Sequence, residues 1–279
     1  TWTEPNDDKT GLLLEGPFHC APVSVIVHGG RLWRAMEDTT DPKRWGLPFR
    51  AFMMSVSGDA DLLRAENWCV SNRLANDRSW LDGKFGGWLE GNAVVAPDGR
   101  LVNVLRVEYP TGGGKAAIVD VSDDGRTVSF DPESGFVDLP GGCTKFTIRF
   151  DPVSKYYWTL SNYMPPRHLG LHPGATRNTL ALVRSKDLRG WEVRSIVAYH
   201  HDVKKHGFQY PDWRFDGDDI VAVSRTAYDD GLGGAHNFHD ANYLTFHRWQ
   251  GFRDLTLDDS CAAAKERLGA TLEKLRGQP

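Results

Sequence analysis

A pattern of strand, tight turn and strand recurs four times along this chain, at intervals of about sixty residues. A repeat of that length is the signature of blades or solenoid units, and it limits the fold more than any single motif does. The opening strands read CAPVSVIV (20–27), GWLEGNAVVA (87–96), TKFTIRF (144–150) and HGFQYPDWRF (206–215). Each is followed by a partner: GRLWRAME, GRLVNVLRVE, SKYYWTLSN and DDIVAVSRTA. The intervening turns HGG, PDG, DPVS and DGD carry the Gly or Asp that hairpins require. Third strands follow at FRAFMMSVS, KAAIVDVS, RNTLALVRS and ANYLTFHR, and short fourth strands centre on Trp68, Val128 to Phe130, Trp191 and Phe252. The expectation is an all-β chain, a β-propeller of four-stranded antiparallel blades over residues 1–255, with a short C-terminal α-helix in residues 256–279. An irregular β-sandwich is the alternative, but it does not require the same strand order four times.

The tail TLDDSCAAAKERLGATLEKLRG supports the helix: Thr256 or Asp258 can cap it, and Leu268, Leu272 and Leu275 recur at helical spacing. At the other end, TWTEP reads as a fourth strand with Trp2 as its aromatic. Either it closes the ring beside residues 240–248, or it is the remnant of a blade in a larger, five- to seven-bladed propeller.

Composition narrows the partners. A net charge of −4 provides no basic face for a phosphate backbone, so nucleic acid is not expected. No apolar run is long enough for a transmembrane helix. The four Cys (Cys20, Cys69, Cys143, Cys261) show no CxxC spacing, so neither a zinc knuckle nor a redox pair is expected, and one or two disulfides stay open. No signal peptide is visible, and the oligomeric state is not legible.

The turns between third and fourth strands, SGDADLLRAENW (57–68), SDDGRTVSF (122–130) and SKDLRGW (185–191), share Ser, a residue, Asp, a spacer and then an aromatic or its substitute. Asp and Ser side chains in such turns bond nearby backbone N–H groups. These turns resemble the Asp boxes of BNR-repeat, sialidase-like propellers. The resemblance extends through GGWLEGN, PGGCTKFTIRFD and KHGFQYPDWRFDGDDIVAVSRTAYDDGLGG…HDANYLTFHR, and so covers most of the chain. It implies a secreted or periplasmic carbohydrate-active protein whose partner is an acidic oligo- or polysaccharide.

In a propeller, the entrances to first strands and the loops after second strands share one face, where sites gather. GWLEGN and HGFQYPDW place polar residues on strands that should be buried, at a cost that a site would explain. The catalytic candidates are Glu90 and Glu37, the best carboxylate pair for glycoside hydrolysis, and His206 and Tyr228, which suit proton abstraction from a uronic acid. Arg34, Lys145 and Arg225 are candidate clamps for a substrate carboxylate. Trp88 and Tyr210 are candidate sugar platforms, and Asn92, Gln209, Asp212, Asp230 and His239 are further binding candidates. In the structural reading of the same residues, each Glu pairs with an Arg and the aromatics simply pack.

No cofactor motif is present, since GLGGA lacks the Lys-Ser/Thr and the helix of a phosphate loop. A divalent metal held by His201, Asp202, His206, His236 and His239 is conceivable, although their spacing fits no standard motif. Three functions follow: a sialidase-like glycoside hydrolase, a polysaccharide lyase, or a non-catalytic glycan-binding propeller.

Overall fold

The computed structural model describes residues 11–19 and 23–277. Trp2, the rest of TWTEP and Cys20 lie outside them. The chain divides into two compact units: Thr1–Arg78 with Gly87–Leu105 and Ala117–Gly135, and Ser79–Gly86 with Arg106–Ala116 and Phe136–Pro279.

Four successive antiparallel sheets give the expected propeller arrangement. The first comprises β1 (Ile26–His28), β2 (Arg31–Thr39), β3 (Phe49–Ser57) and β4 (Trp68–Val70), hydrogen-bonded in chain order. Its opening hairpin turns on Gly29 and Gly30, at φ 57° and 73°, a left-handed pair that only Gly adopts without cost. The second sheet is β5 (Gly87–Val95), β6 (Leu101–Glu108), β7 (Lys115–Val121) and β8 (Val128–Ser129), with β9 (Phe136–Asp138) added on β7. The third is β10 (Thr147–Asp151), β11 (Tyr156–Ser161), β12 (Thr179–Ser185) and β13 (Trp191–Tyr199). The fourth has three strands among the described residues: β14 (Gly207–Asp216), β15 (Asp219–Ala227) and β16 (Tyr243–Trp249).

The fourth strand expected near Phe252 does not form. Gly251, at φ 57°, turns the chain after β16, and Phe252 drops its ring into the core against Trp158 (5.0 Å) and Phe215 (5.3 Å). Arg253 fixes this turn with two bonds to the buried Asp151 carboxylate, at 2.7 and 3.0 Å. The last strand of the third sheet, expected to be short, runs for nine residues. Its inner face (Val193, Ile196, Tyr199) packs on Ala264, Leu268 and Leu272 of the C-terminal helix, which explains its length.

That helix spans Ala262–Arg276 and so begins later than expected. Thr256 does cap, but it caps a single 3₁₀ turn (Leu257–Asp259) through a reciprocal pair with Asp259. The helix is too short to cross a membrane, and no other described helix is long and apolar enough to do so. The Ser-Asp turns make the local bonds their sequence predicts. Asp124 accepts the Ser122 hydroxyl at 2.6 Å and the Arg126 N–H at 3.0 Å. Asp187 likewise accepts the N–H groups of Arg189 and Gly190, both at 2.8 Å. Cys69, Cys143 and Cys261 are free thiols.

Candidate functional site

Each unit holds its own cluster of candidate residues. In the first, β2 loses its alternation after Ala35, and Glu37, Asp38 and Thr39 are all buried. Two of these have structural explanations close by: Asp38 is held by Arg50 (2.8 and 2.9 Å) and Arg73 (3.2 Å), and the Thr39 hydroxyl bonds the Asp41 carbonyl at 3.0 Å. Glu37 differs, because among the described residues no Arg contacts it. Its carboxylate, 2% exposed, meets the His19 imidazole at 3.3 Å and accepts the Glu90 backbone N–H. Burial raises the Glu37 pKa above the usual carboxylate value. The bonds from His19 and Glu90 oppose that shift, and the Glu90 charge reinforces it.

Glu90 itself is 1% exposed and sits at φ 55° in the middle of β5. Left-handed backbone at a non-glycine residue costs on the order of 1–2 kcal/mol, and such residues cluster at functional sites. Gly91 follows because a Cβ there would stand 2.1 Å from the Asn103 side-chain oxygen. The structure therefore brings the predicted pair, Glu37 and Glu90, together within one unit.

A cleft of about 410 Å³ opens beside His19, lined by Pro17, Phe18, Trp45, Phe49, Lys43 and Arg44 among others. His19 packs edge-on against Trp45 (ring centroids 4.8 Å) and beside Phe49 (5.0 Å). Trp45 is 55% exposed, an open aromatic face. Sequence reasoning missed Trp45, Lys43 and Arg44. The signal available was an aromatic beside two cations in the β2–β3 loop, one of the loops expected to carry a site. Trp88, predicted as a platform, is instead fully buried edge-on against Phe130 at 5.2 Å. Asn92 is buried, with its amide 3.5 Å from the Glu90 and Val104 carbonyls. Arg34 lies half-buried in β2.

In the second unit, β14 carries a register shift between Gln209 and Asp212, with Tyr210 at φ 47°. Such a bulge re-aims side chains. Tyr210 is flanked by the guanidinium groups of Arg225 (5.0 Å) and Arg177 (5.5 Å). Arg225 donates to the His239 carbonyl at 2.7 Å. Gln209 is buried and accepts from Arg177 at 2.9 Å. Lys145 is buried too, donating to the Thr147 hydroxyl (2.8 Å) and the Pro211 carbonyl (3.4 Å). Asp212 takes Arg149 at 3.3 Å. Asp230 accepts the N–H groups of Leu232 and Gly234, both at 2.8 Å, and the Asn242 amide at 2.9 Å, so its visible work is stapling the Gly-rich loop.

His206 lies at the entrance to β14 and stacks on His200 with ring centroids 3.5 Å apart, while Tyr228 stands edge-on to both. Burial lowers the His200 pKa, as do the His206 and His201 charges. The metal-ligand set predicted from sequence is not the one that assembles. Among the described residues, the group of three donors that could share an ion is His200, His206 and Asp229, whose ligand atoms all lie within 4.8 Å of one another. His236 and His239 do not join it, and sequence reasoning missed His200. Tyr228 and Asp229 also line a cleft of about 500 Å³ with Phe208, Tyr243, Thr245 and His247. His247 itself is a strand residue bonded to the Thr245 hydroxyl at 2.8 Å and stacked on Trp249.

Comparison with known proteins places the fold. No protein-family model matches the sequence, and no curated protein does. Among solved structures, one similar chain is the β-fructofuranosidase of Schwanniomyces occidentalis in complex with fructosyl-erythritol, at 13% identity and TM-score 0.55, covering 86% of this chain and 48% of that one. Another is the α-L-arabinofuranosidase of Lactobacillus brevis, at 11% identity and TM-score 0.53, covering 85% of this chain and 75% of that one. This chain thus spans about half the length of the fructofuranosidase. Identities this low establish a shared fold alone. These likenesses are to glycosidases of other kinds and lend nothing to the BNR-repeat, sialidase-like resemblance.

Proposed function

We propose that this chain is a glycoside hydrolase acting on an acidic, sialic- or uronic-acid-containing glycan, with Glu37 as proton donor and Glu90 as the partner carboxylate. The observation that carries this reading is the buried Glu37–Glu90 pair. One carboxyl has its pKa raised by burial, and the other stands on strained backbone beside it. Glycoside hydrolysis asks for such a pair: a carboxylic acid that protonates the leaving oxygen, and a carboxylate that acts as base or nucleophile. Lys43 and Arg44 beside the exposed Trp45 support an acidic ligand, since cations attract its carboxylate while the indole face stacks on sugar. The glycosidase likenesses are consistent with this chemistry through the fold.

The test is product analysis on a panel of neutral, uronic and sialic glycosides. New reducing ends that disappear in Glu37→Gln and Glu90→Gln support the reading. An unsaturated uronate as product replaces it with a lyase. Binding without turnover across the panel replaces it with a glycan-binding protein.

A further inference from the structure

We infer that His200, His206 and Asp229 form a binding site for a divalent transition-metal ion of the zinc type. The site lies within the second unit and is independent of the carboxylate pair discussed above.

The argument starts from His206. Its side chain is 4% exposed, and among the described residues its ring nitrogens make long ion-pair contacts but no short, well-directed hydrogen bond. A buried imidazole whose nitrogens are held this loosely gives up much of the hydrogen bonding it would have in water. Both nitrogens face carboxylates, just beyond good hydrogen-bond range: Nε2 lies 3.4 Å from Asp229 Oδ2, and Nδ1 lies 3.5 Å from Asp202 Oδ2. The first separation suits two ligands of one ion. Two donors, each about 2.0–2.1 Å from a tetrahedral zinc, stand about 3.4 Å apart. The second suits a supporting carboxylate. A metal-bound imidazole usually gives its other N–H to such a group, which fixes its tautomer and aim. Asp202 is itself oriented by the N–H groups of Lys204 (2.7 Å) and Lys205 (3.4 Å).

His200 supplies the third donor. Its ring is stacked on that of His206 at an interplanar angle of 22°, and its Nδ1 accepts the Asp202 N–H at 3.2 Å. Parallel imidazoles do not aim both lone pairs at one point. Metal uptake therefore tilts His200 out of the stack and exchanges the 3.2 Å contact for a metal bond. Two nitrogens and one carboxylate favour zinc, nickel or copper over calcium or magnesium, which prefer all-oxygen shells. The side chain of Asp229 is 75% exposed, so an ion has a path in, and three protein ligands leave one tetrahedral position for water or a ligand.

The experiment is titration of the chelator-treated, full-length protein with Zn²⁺ by calorimetry, and with Co²⁺ by visible absorption. One equivalent should bind, and Co²⁺ should give the intense bands of a four- or five-coordinate nitrogen and oxygen site. Asp229→Asn removes an exposed ligand without disturbing the core and should abolish the stoichiometric site. Asp202→Asn should weaken it by about 10- to 100-fold. A double Ala variant at His236 and His239 should bind as the parent does. Absence of a one-to-one site overturns the proposal. So does binding that survives both Asp229→Asn and His200→Asn, or binding lost only in the double Ala variant.

Discussion

The His19 imidazole reaches the buried Glu37 carboxylate at 3.3 Å, and behind that carboxylate lies Glu90. His19 also borders the cleft that holds Trp45, so it connects an open surface to a buried acid. In the proposed hydrolase, Glu37→Gln should lower turnover by about 10²- to 10⁴-fold, the usual contribution of a general acid. Glycan binding should change little. Glu37 must be protonated to act, so activity should fall as pH rises through its folded-state pKa, which lies above 4.5. A pH–rate profile checks the position of that limb.

The same carboxyl predicts a pH dependence of stability. A folded-state pKa raised above the unfolded one gives a contribution fully present below about pH 4.5 and lost as pH rises through the raised value. Glu37→Gln should remove that loss and make the variant relatively more stable at neutral pH than in acid. Denaturant melts of both proteins across pH 4–8 would measure it, and identical pH dependence would count against the assigned burial cost.

Trp45 offers a cleaner probe of the cleft, because more than half of its side chain faces solvent and the core does not depend on it. Trp45→Ala should weaken glycan binding at least several-fold, with little change in melting temperature. The double Ala variant at Lys43 and Arg44 should weaken binding of acidic glycans and flatten its salt dependence, leaving neutral ones unaffected. Calorimetric titration at two ionic strengths distinguishes the two variants.

Asp151 and Arg253 should govern acid stability. Burial alone would raise the Asp151 pKa, but bonds from Arg253, Ser154 and Val153 outweigh it and hold it well below the usual range. Its contribution is present above about pH 3.8 and is lost as pH falls through the depressed value. Asp151→Asn should cost about 1.5–3 kcal/mol at neutral pH, because it leaves Arg253 poorly matched and frees the Phe252 turn. Chemical denaturation reads the loss directly.

Cys143 should be the slowest of the described thiols to react. Burial, with Glu108 nearby, pushes its pKa up to about 11, so little thiolate forms at neutral pH. Alkylation followed by mass spectrometry should label Cys69 and Cys261 first. Early labelling of Cys143 in the native protein would contradict its burial.

The blades were legible because second and third strands are apolar runs bounded by Gly and Asp turns, and those local signals survive folding. Phe252 was misread for a physical reason: an aromatic after a strand looks alike whether it continues the sheet or plugs the core, and Gly251 and Arg253 decide the matter through contacts distant in sequence. The β9 strand went unseen because its three residues lie among turn formers. Glu37 and Glu90 were found because carboxylates on buried strands violate the burial pattern. Trp45 and His200 escaped because each sits in a polar segment where its residue type breaks no local rule. Only the packing of His19 on Trp45, and of His206 on His200, reveals them.

The left-handed backbone at Glu90 has one more consequence. With φ at 55° and the next residue confined to Gly by Asn103, the main chain sets where the Glu90 side chain leaves the strand, and burial at 1% exposure restricts the rotamers left to it. Its orientation is therefore settled during folding, and an arriving ligand forfeits little disorder at that position. Such preorganisation places the entropic cost in the synthesis and folding of the protein, once, instead of in every encounter with a ligand.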